Sequence, residues 1–237
     1  MMPATPTVVL VHGAFADASG YAGIIRILQS RGIDARAPMN PLRGLASDAD
    51  AITRYTTAID GPILLVGHSY GGAVISQAAP SVKEVTGLVF LSAFALQEGE
   101  SCARVQEEFP PVIAAETVIA THYDAPGAAG GPDLYIKIPD FHRTFCADLP
   151  DSLAATMAVS QRPVSAAALT EPATAAGWKE LPTWYMVSQD DSAISPDCER
   201  HMAKRMNATT EEVDGSHAVY IAQPDLAAQL IFRALET

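Results

Sequence analysis

Four short stretches of this chain are almost wholly apolar: TVVLVH (7–12), PILLVG (62–67), VTGLVFLSAF (85–94) and LPTWYMVS (181–188). A strand with one wet face alternates apolar and polar residues, whereas a run without alternation belongs to a strand covered on both sides. Longer segments of helical period lie between the runs. SGYAGIIRILQSRG starts near Ser19 and stops at Gly32, SDADAITRYTTAID covers 47–60, and GGAVISQAAP ends at Pro80. Ser47 is the expected N-cap of the second of these, with acidic residues in the first turn that suit the helix dipole. IDARAP and TTEEV add two shorter strands, PDCERHMAKRM a helix, and QPDLAAQLIFRALE a closing helix from about Gln223. Strands alternating with helices in this way predict an α/β fold: a mostly parallel sheet of about six strands with helices on both faces.

The rhythm fades between about Leu96 and Trp178, where FPPV, APGAAGGPD and QRPVS separate short helical pieces. A structureless loop of that length is improbable inside a compact domain. The segment 96–178 is therefore predicted to be an inserted, mainly helical cap on a core made of 1–95 and 179–237, the whole forming one domain.

The composition excludes several classes of function. A formal net charge of −12 over 237 residues leaves no cluster of Lys and Arg for a phosphate backbone or an anionic membrane surface. Cys102, Cys146 and Cys198 lie far apart without metal-ligand spacing, so neither a zinc site nor a disulfide framework is indicated. No basic segment precedes the first apolar run, as a signal peptide would require, and no stretch is long enough to span a bilayer. A cytoplasmic protein without metal or organic cofactor is the expectation.

The chemistry centres on Gly67-His68-Ser69-Tyr70-Gly71, which fits G-x-S-x-G, a serine on a sharp turn between strand and helix. Three fixed positions at about 7% each put an accidental match in roughly one chain in a dozen of this length. Here the pentapeptide follows an apolar strand and opens a helix, the setting that gives it meaning. A serine hydroxyl becomes a nucleophile only beside a base, and the base needs a carboxylate to orient it. Of six histidines, His12 and His68 belong to motifs beside the serine, His122 and His142 fall in the cap, and His201 lies on a charged helix face. His217, in a loop between the last strand and the last helix, is where the base belongs in the order Ser, acid, His. VSQDDSAISP then offers Asp191 as the acid, with Asp190 as its substitute; Asp214 is too close to His217 along a turn. The amides of Tyr70 and Ala14 are the expected oxyanion donors. His12 is expected to hold the Ala14 loop, and Phe15 to touch substrate.

LVHGAF, GHSYGG, Asp191 with Ile194 and Pro196 behind it, and GSHAVYIAQP resemble, in this order, the α/β-hydrolase superfamily. The resemblance is strongest to small bacterial esterase-like hydrolases related to plant methyl-salicylate esterases and hydroxynitrile lyases, and it spans the chain apart from the cap. It supports Asp191 over Asp190. It also implies what the chain is not: related lyases carry a threonine and a lysine where Gly13 and Ala218 stand, so cyanide chemistry lacks its cation. The implied function is a serine hydrolase of a small carboxylic ester or lactone. Lyase-like or perhydrolase-like chemistry and a small-ligand receptor are the alternatives. Phe109, Tyr123, Tyr135, Phe141 and Met157 are candidate pocket residues of the cap.

Overall fold

In the computed structural model, which describes residues 5–122 and 131–237, the four apolar runs are strands buried over most or all of their length. The first half of the chain forms β1 (Thr7–Val11), α1 (Ala22–Ser30), β2 (Ala35–Arg36), α2 (Leu45–Thr56), β3 (Ile63–His68), α3 (Tyr70–Ala78) and β4 (Val85–Leu91). A middle segment holds α4 (Cys102–Gln106), β5 (Val118–Thr121), β6 (Asp133–Ile136), α5 (Ile138–Phe145), α6 (Asp151–Ser160), β7 (Val164–Ser165) and α7 (Ala166–Thr170). The chain then completes β8 (Thr183–Ser188), α8 (Pro196–Arg205), β9 (Thr209–Val213), α9 (Val219–Ala222) and α10 (Pro224–Leu235).

Six strands form one sheet in the order β2-β1-β3-β4-β8-β9, and every pairing is parallel. Successive side chains point to opposite faces. Val9, Val11, Leu65 and Phe90 therefore pack against α2, α3 and α8 through Ile52, Val74 and Met202. Val8, Leu10, Val66 and Val89 pack on the other face against Ile24 and Leu28 of α1 and Leu230 and Ile231 of α10. The strand order sets the location of a site. The chain moves outward from β1 to β2, returns to β3, and leaves in the other direction through β4, β8 and β9. Where the order turns back, the loops after β1 and β3 diverge to opposite faces and open a crevice beyond the strand ends.

Two expectations need correction. Gly44, not Ser47, stands at the N-cap of α2; Ser47 lies inside the helix and donates its hydroxyl to the Gly44 carbonyl at 3.0 Å. IDARAP contributes only the two residues of β2. The segment 96–178 holds four helices, α4 to α7, and besides them a three-stranded antiparallel sheet in the order β5-β6-β7. β5 and β6 read VIAT and DLYI, apolar but only four residues each and too short to show a strand period, and Ile136 alone among them is buried.

Directional bonds tie this segment to the rest. Arg43 donates to Asp133 at 2.7 Å and to the Pro163 carbonyl at 3.2 Å, Ser165 N–H donates to the Leu42 carbonyl at 2.9 Å, and Arg205 pairs with Glu100 at 2.6 Å. A small apolar cluster of Phe141, Phe145, Leu149 and Ala158 meets Ala16 and Ala218 from the loops of the main sheet. All three cysteines are free and buried; burial raises each thiol, those of Cys146 and Cys198 to about 12. No helix among the described residues is long and apolar enough to cross a membrane.

Candidate active site

Ser69 is the single residue between β3 and α3, and its backbone is at φ 55°, ψ −125°, a conformation that side chains other than glycine's disfavour. Close packing maintains it. A Cβ at Gly71 would lie 2.1 Å from the Val11 carbonyl oxygen, and one at Gly13 would lie 2.6 Å from the Ser69 Cβ. The turn is thus pressed against the end of β1 and its loop, which only glycine permits. Ser69 N–H donates to the Leu91 carbonyl at 3.2 Å, and the Ser69 carbonyl accepts from Gly72 at 3.0 Å and Phe94 at 3.1 Å.

His217 is 1% exposed in the loop between β9 and α9, and its Nδ1–H donates to Asp191 Oδ2 at 2.5 Å. Asp191, 3% exposed in the loop after β8, accepts on its other oxygen from the amides of Ala193 at 2.6 Å and Ile194 at 2.8 Å. The carboxylate is held from one side by its own loop and grips the imidazole from the other. This leaves Nε2 as the ring atom able to exchange a proton. Asp190 and Asp214 are exposed. Ser69 Oγ takes part in none of these bonds and lines the same cavity as His217.

That cavity measures about 720 Å³. Ala14, Phe15 and Tyr70 line it beside Ser69, and Phe109, Ile113 and Leu169 form part of its apolar wall. Among the described residues, the amides of Ala14 and Tyr70 donate to no other backbone group. The Tyr70 amide also begins α3, where the helix dipole favours negative charge. Of the cap residues singled out in the sequence, Phe109 reaches the cavity. Phe141 is buried in the separate cluster, Met157 lines a neighbouring groove, Tyr135 lines neither, and Tyr123 falls outside the described residues.

Three further buried residues support the site, of which the sequence discloses the role of His12 alone. His68 is fully buried, donates from Nε2 to the His217 carbonyl at 2.9 Å, and lies 4.6 Å from the His217 ring. Burial, then the neighbouring His217, holds its imidazole well below the usual range, so it is a neutral tether for the histidine loop. His12 Nδ1–H donates to the Gly13 carbonyl at 3.0 Å while Nε2 accepts from Asn40 N–H at 3.0 Å. Burial again lowers its basicity and fixes the Ala14 loop through a neutral ring. Asp48, which the sequence suggests only as a helix-dipole residue, is fully buried; it accepts the Tyr70 hydroxyl at 2.8 Å and the Arg43 amide at 3.0 Å. Burial raises its carboxyl. The side chain of Tyr70 is thereby anchored in the protein behind the cavity wall.

With this geometry in place, comparison with known proteins supplies the class. The model of the alpha/beta hydrolase family matches residues 8–230, and the chain belongs to that family. It is similar to Alpha/beta hydrolase nvfD of Aspergillus novofumigatus, 27% identical over 97% of this chain and 96% of that protein. Methylesterase 2 of Arabidopsis thaliana is 23% identical over 92% of this chain and 91% of its own. Among solved structures, polyneuridine aldehyde esterase superposes with a TM-score of 0.80 at 17% identity, covering 97% of this chain and 99% of that one, a likeness of fold.

Proposed function

We propose that the chain is a serine hydrolase that cleaves a small, uncharged carboxylic ester or lactone through an acyl-enzyme. Ser69 Oγ attacks the carbonyl carbon as His217 Nε2 takes its proton, and Asp191 retains the Nδ1–H bond and stabilises the imidazolium. The Ala14 and Tyr70 amides receive the charge that develops on the carbonyl oxygen. His217 then returns the proton to the leaving alkoxide, and water attacks the acyl-enzyme by the same route in reverse. The observation that carries this reading is the 2.5 Å bond from His217 Nδ1 to Asp191 on the wall of the cavity that holds Ser69.

The cavity favours an uncharged substrate, since among the described residues its lining is mostly apolar, with Glu107 as its one carboxylate and no Lys or Arg. Ala218, at the position where the related lyases have lysine, is fully buried, which weighs against cyanide chemistry. The esterase names of the relatives point the same way. Cys102, Ala103, Gln106, Phe109, Ile113 and Leu169 supply a wall from the 96–178 segment, in keeping with a cap over a core of 1–95 and 179–237. Three unpaired buried cysteines suit a reducing, cytoplasmic setting.

Ser69→Ala is expected to reduce p-nitrophenyl ester hydrolysis by something near a million-fold if the three side chains act as a unit. A fluorophosphonate is expected to add to wild type at Ser69 and not to the variant, as read by intact mass. Parent-rate hydrolysis by pure Ser69→Ala overturns the assignment, and a wild type that neither labels nor hydrolyses esters favours a receptor.

A further inference from the structure

A second carboxyl group lies behind the histidine, and the mechanism above does not use it. Glu199 on α8 is fully buried; its Oε2 accepts from Ser188 N–H at 3.1 Å, and its Oε1 has no hydrogen-bond partner among the described residues. After burial itself, the group acting on it most strongly is the carboxyl of Asp191, with which it is in hydrogen-bonding proximity. The two carboxyls are served unequally. Asp191 receives two amides and the imidazole N–H, whereas Glu199 receives one amide.

Two adjacent carboxylates in a dry interior cannot both hold charge unless a cation joins them. The other titratable groups around Glu199 are the Cys198 thiol on its own helix and the Tyr185 phenol on β8, both kept neutral by burial. Arg205, farther along α8, is paired with Glu100. One proton must therefore be retained by the pair, and it belongs on the carboxyl with fewer donors. Burial and the charge of Asp191 hold Glu199 well above the usual carboxylate range, in agreement with this placement.

We infer that Glu199 is a neutral carboxylic acid whose Oε1–H donates to the Asp191 carboxylate, making it a positioning residue for the Asp191–His217 pair. The donated bond withdraws charge from Asp191 and moderates its hold on the imidazolium. It also completes the satisfaction of a group that is otherwise orphaned in the core.

Glu199→Gln reproduces both bonds, with the amide N–H toward Asp191 and the amide oxygen toward Ser188. Glu199→Met removes both. Three measurements test the assignment. In the infrared at neutral pH, the difference between wild type and Glu199→Gln is expected to show the C=O stretch of a protonated carboxylic acid, shifted in D2O. In thermal melts the sign follows from linkage. Unfolded Glu199 ionises near 4.5 while the folded form keeps its proton, so the wild type loses stability as pH rises above 4.5. Glu199→Gln has no such proton, and its melting temperature relative to wild type is expected to climb across that range. In kinetics, which alone rest on the proposed hydrolase reading, the acidic limb of kcat/KM is expected to stay in place in Glu199→Gln and to move to higher pH in Glu199→Met.

An absent carboxylic-acid band, a melting difference that does not change with pH, or an acidic limb displaced to lower pH by Glu199→Gln would each show an ionised Glu199 and overturn the inference. If Glu199→Met does not fold, the glutamine variant still decides. If no ester is hydrolysed, the hydrolase reading fails alone, and the infrared and melting measurements still settle the proton.

Discussion

All six residues of β3 are buried, and three of the four residues of β5 are exposed. The sheet containing β3 is held by apolar burial on two faces, each large side chain contributing roughly 1.5–3 kcal/mol relative to exposure. The segment containing β5 sends Leu96, Val105, Val164 and Trp178 into that same core, but its own strands are exposed and are fastened by directional bonds such as Arg43 to Asp133, with Arg205 to Glu100 nearby. Partly exposed ion pairs of this kind contribute about 1 kcal/mol or less. The difference separates two tasks. The sheet fixes where Ser69, Asp191 and His217 stand, while the segment shapes the space in front of them.

The most severe break of this comparison is Phe90→Ala. Phe90 is fully buried and stacks on Tyr185 with ring centroids 5.9 Å apart. Its loss is expected to lower global stability by about 3–5 kcal/mol in urea unfolding, with hydrogen exchange accelerated in sheet and segment together. A change confined to the segment would contradict the division. Phe15→Ala sharpens the boundary between the two regions. Its half-buried ring lines both the 720 Å³ cavity and a groove of about 100 Å³ bounded by Leu153, Met157 and Tyr220, so it stands as a partition. Removing it is expected to raise kcat/KM for long-chain over acetyl esters by about tenfold, the scale of a hydrophobic-pocket preference. An unchanged chain-length profile would mean that the two spaces stay separate. Asp133→Asn is the mildest: about 1 kcal/mol or less, seen as faster amide exchange in β6 with β3 unaffected. Equal acceleration in β3 would show that the segment supports the sheet after all.

The same division decides what the sequence discloses. Long apolar runs with helical segments between them reveal a sheet buried on both faces, and the strand order then places the loops after β1 and β3 together. Ser69 and His217 are legible because their positions follow from that order. Asp191 is the immediate neighbour of Asp190 in the loop after β8, where no periodicity applies, so burial distinguishes them only in three dimensions. Glu199 is invisible for a different reason: PDCERHMAKRM reads as a solvated helix, yet Cys198, Glu199, Met202 and Ala203 form its buried face. Asp48 is masked in the same way by a first turn where acidic residues are ordinary. The strands β5 and β6 have four residues each, too few to show a period among the Pro and Gly clusters around them, and their pairing rests on backbone bonds.

The turn at Ser69 has a consequence for durability. A side chain at φ 55°, ψ −125° costs about 1–3 kcal/mol, more than the extra freedom of about 0.4–1 kcal/mol that glycine brings to the unfolded chain. Ser69→Gly is therefore expected to outlast the parent on heating, while Ser69→Ala, which inherits the same backbone, is not. Heat tolerance and reactivity draw on one residue in opposite directions, so a library selected for thermal survival alone would tend to discard the hydroxyl.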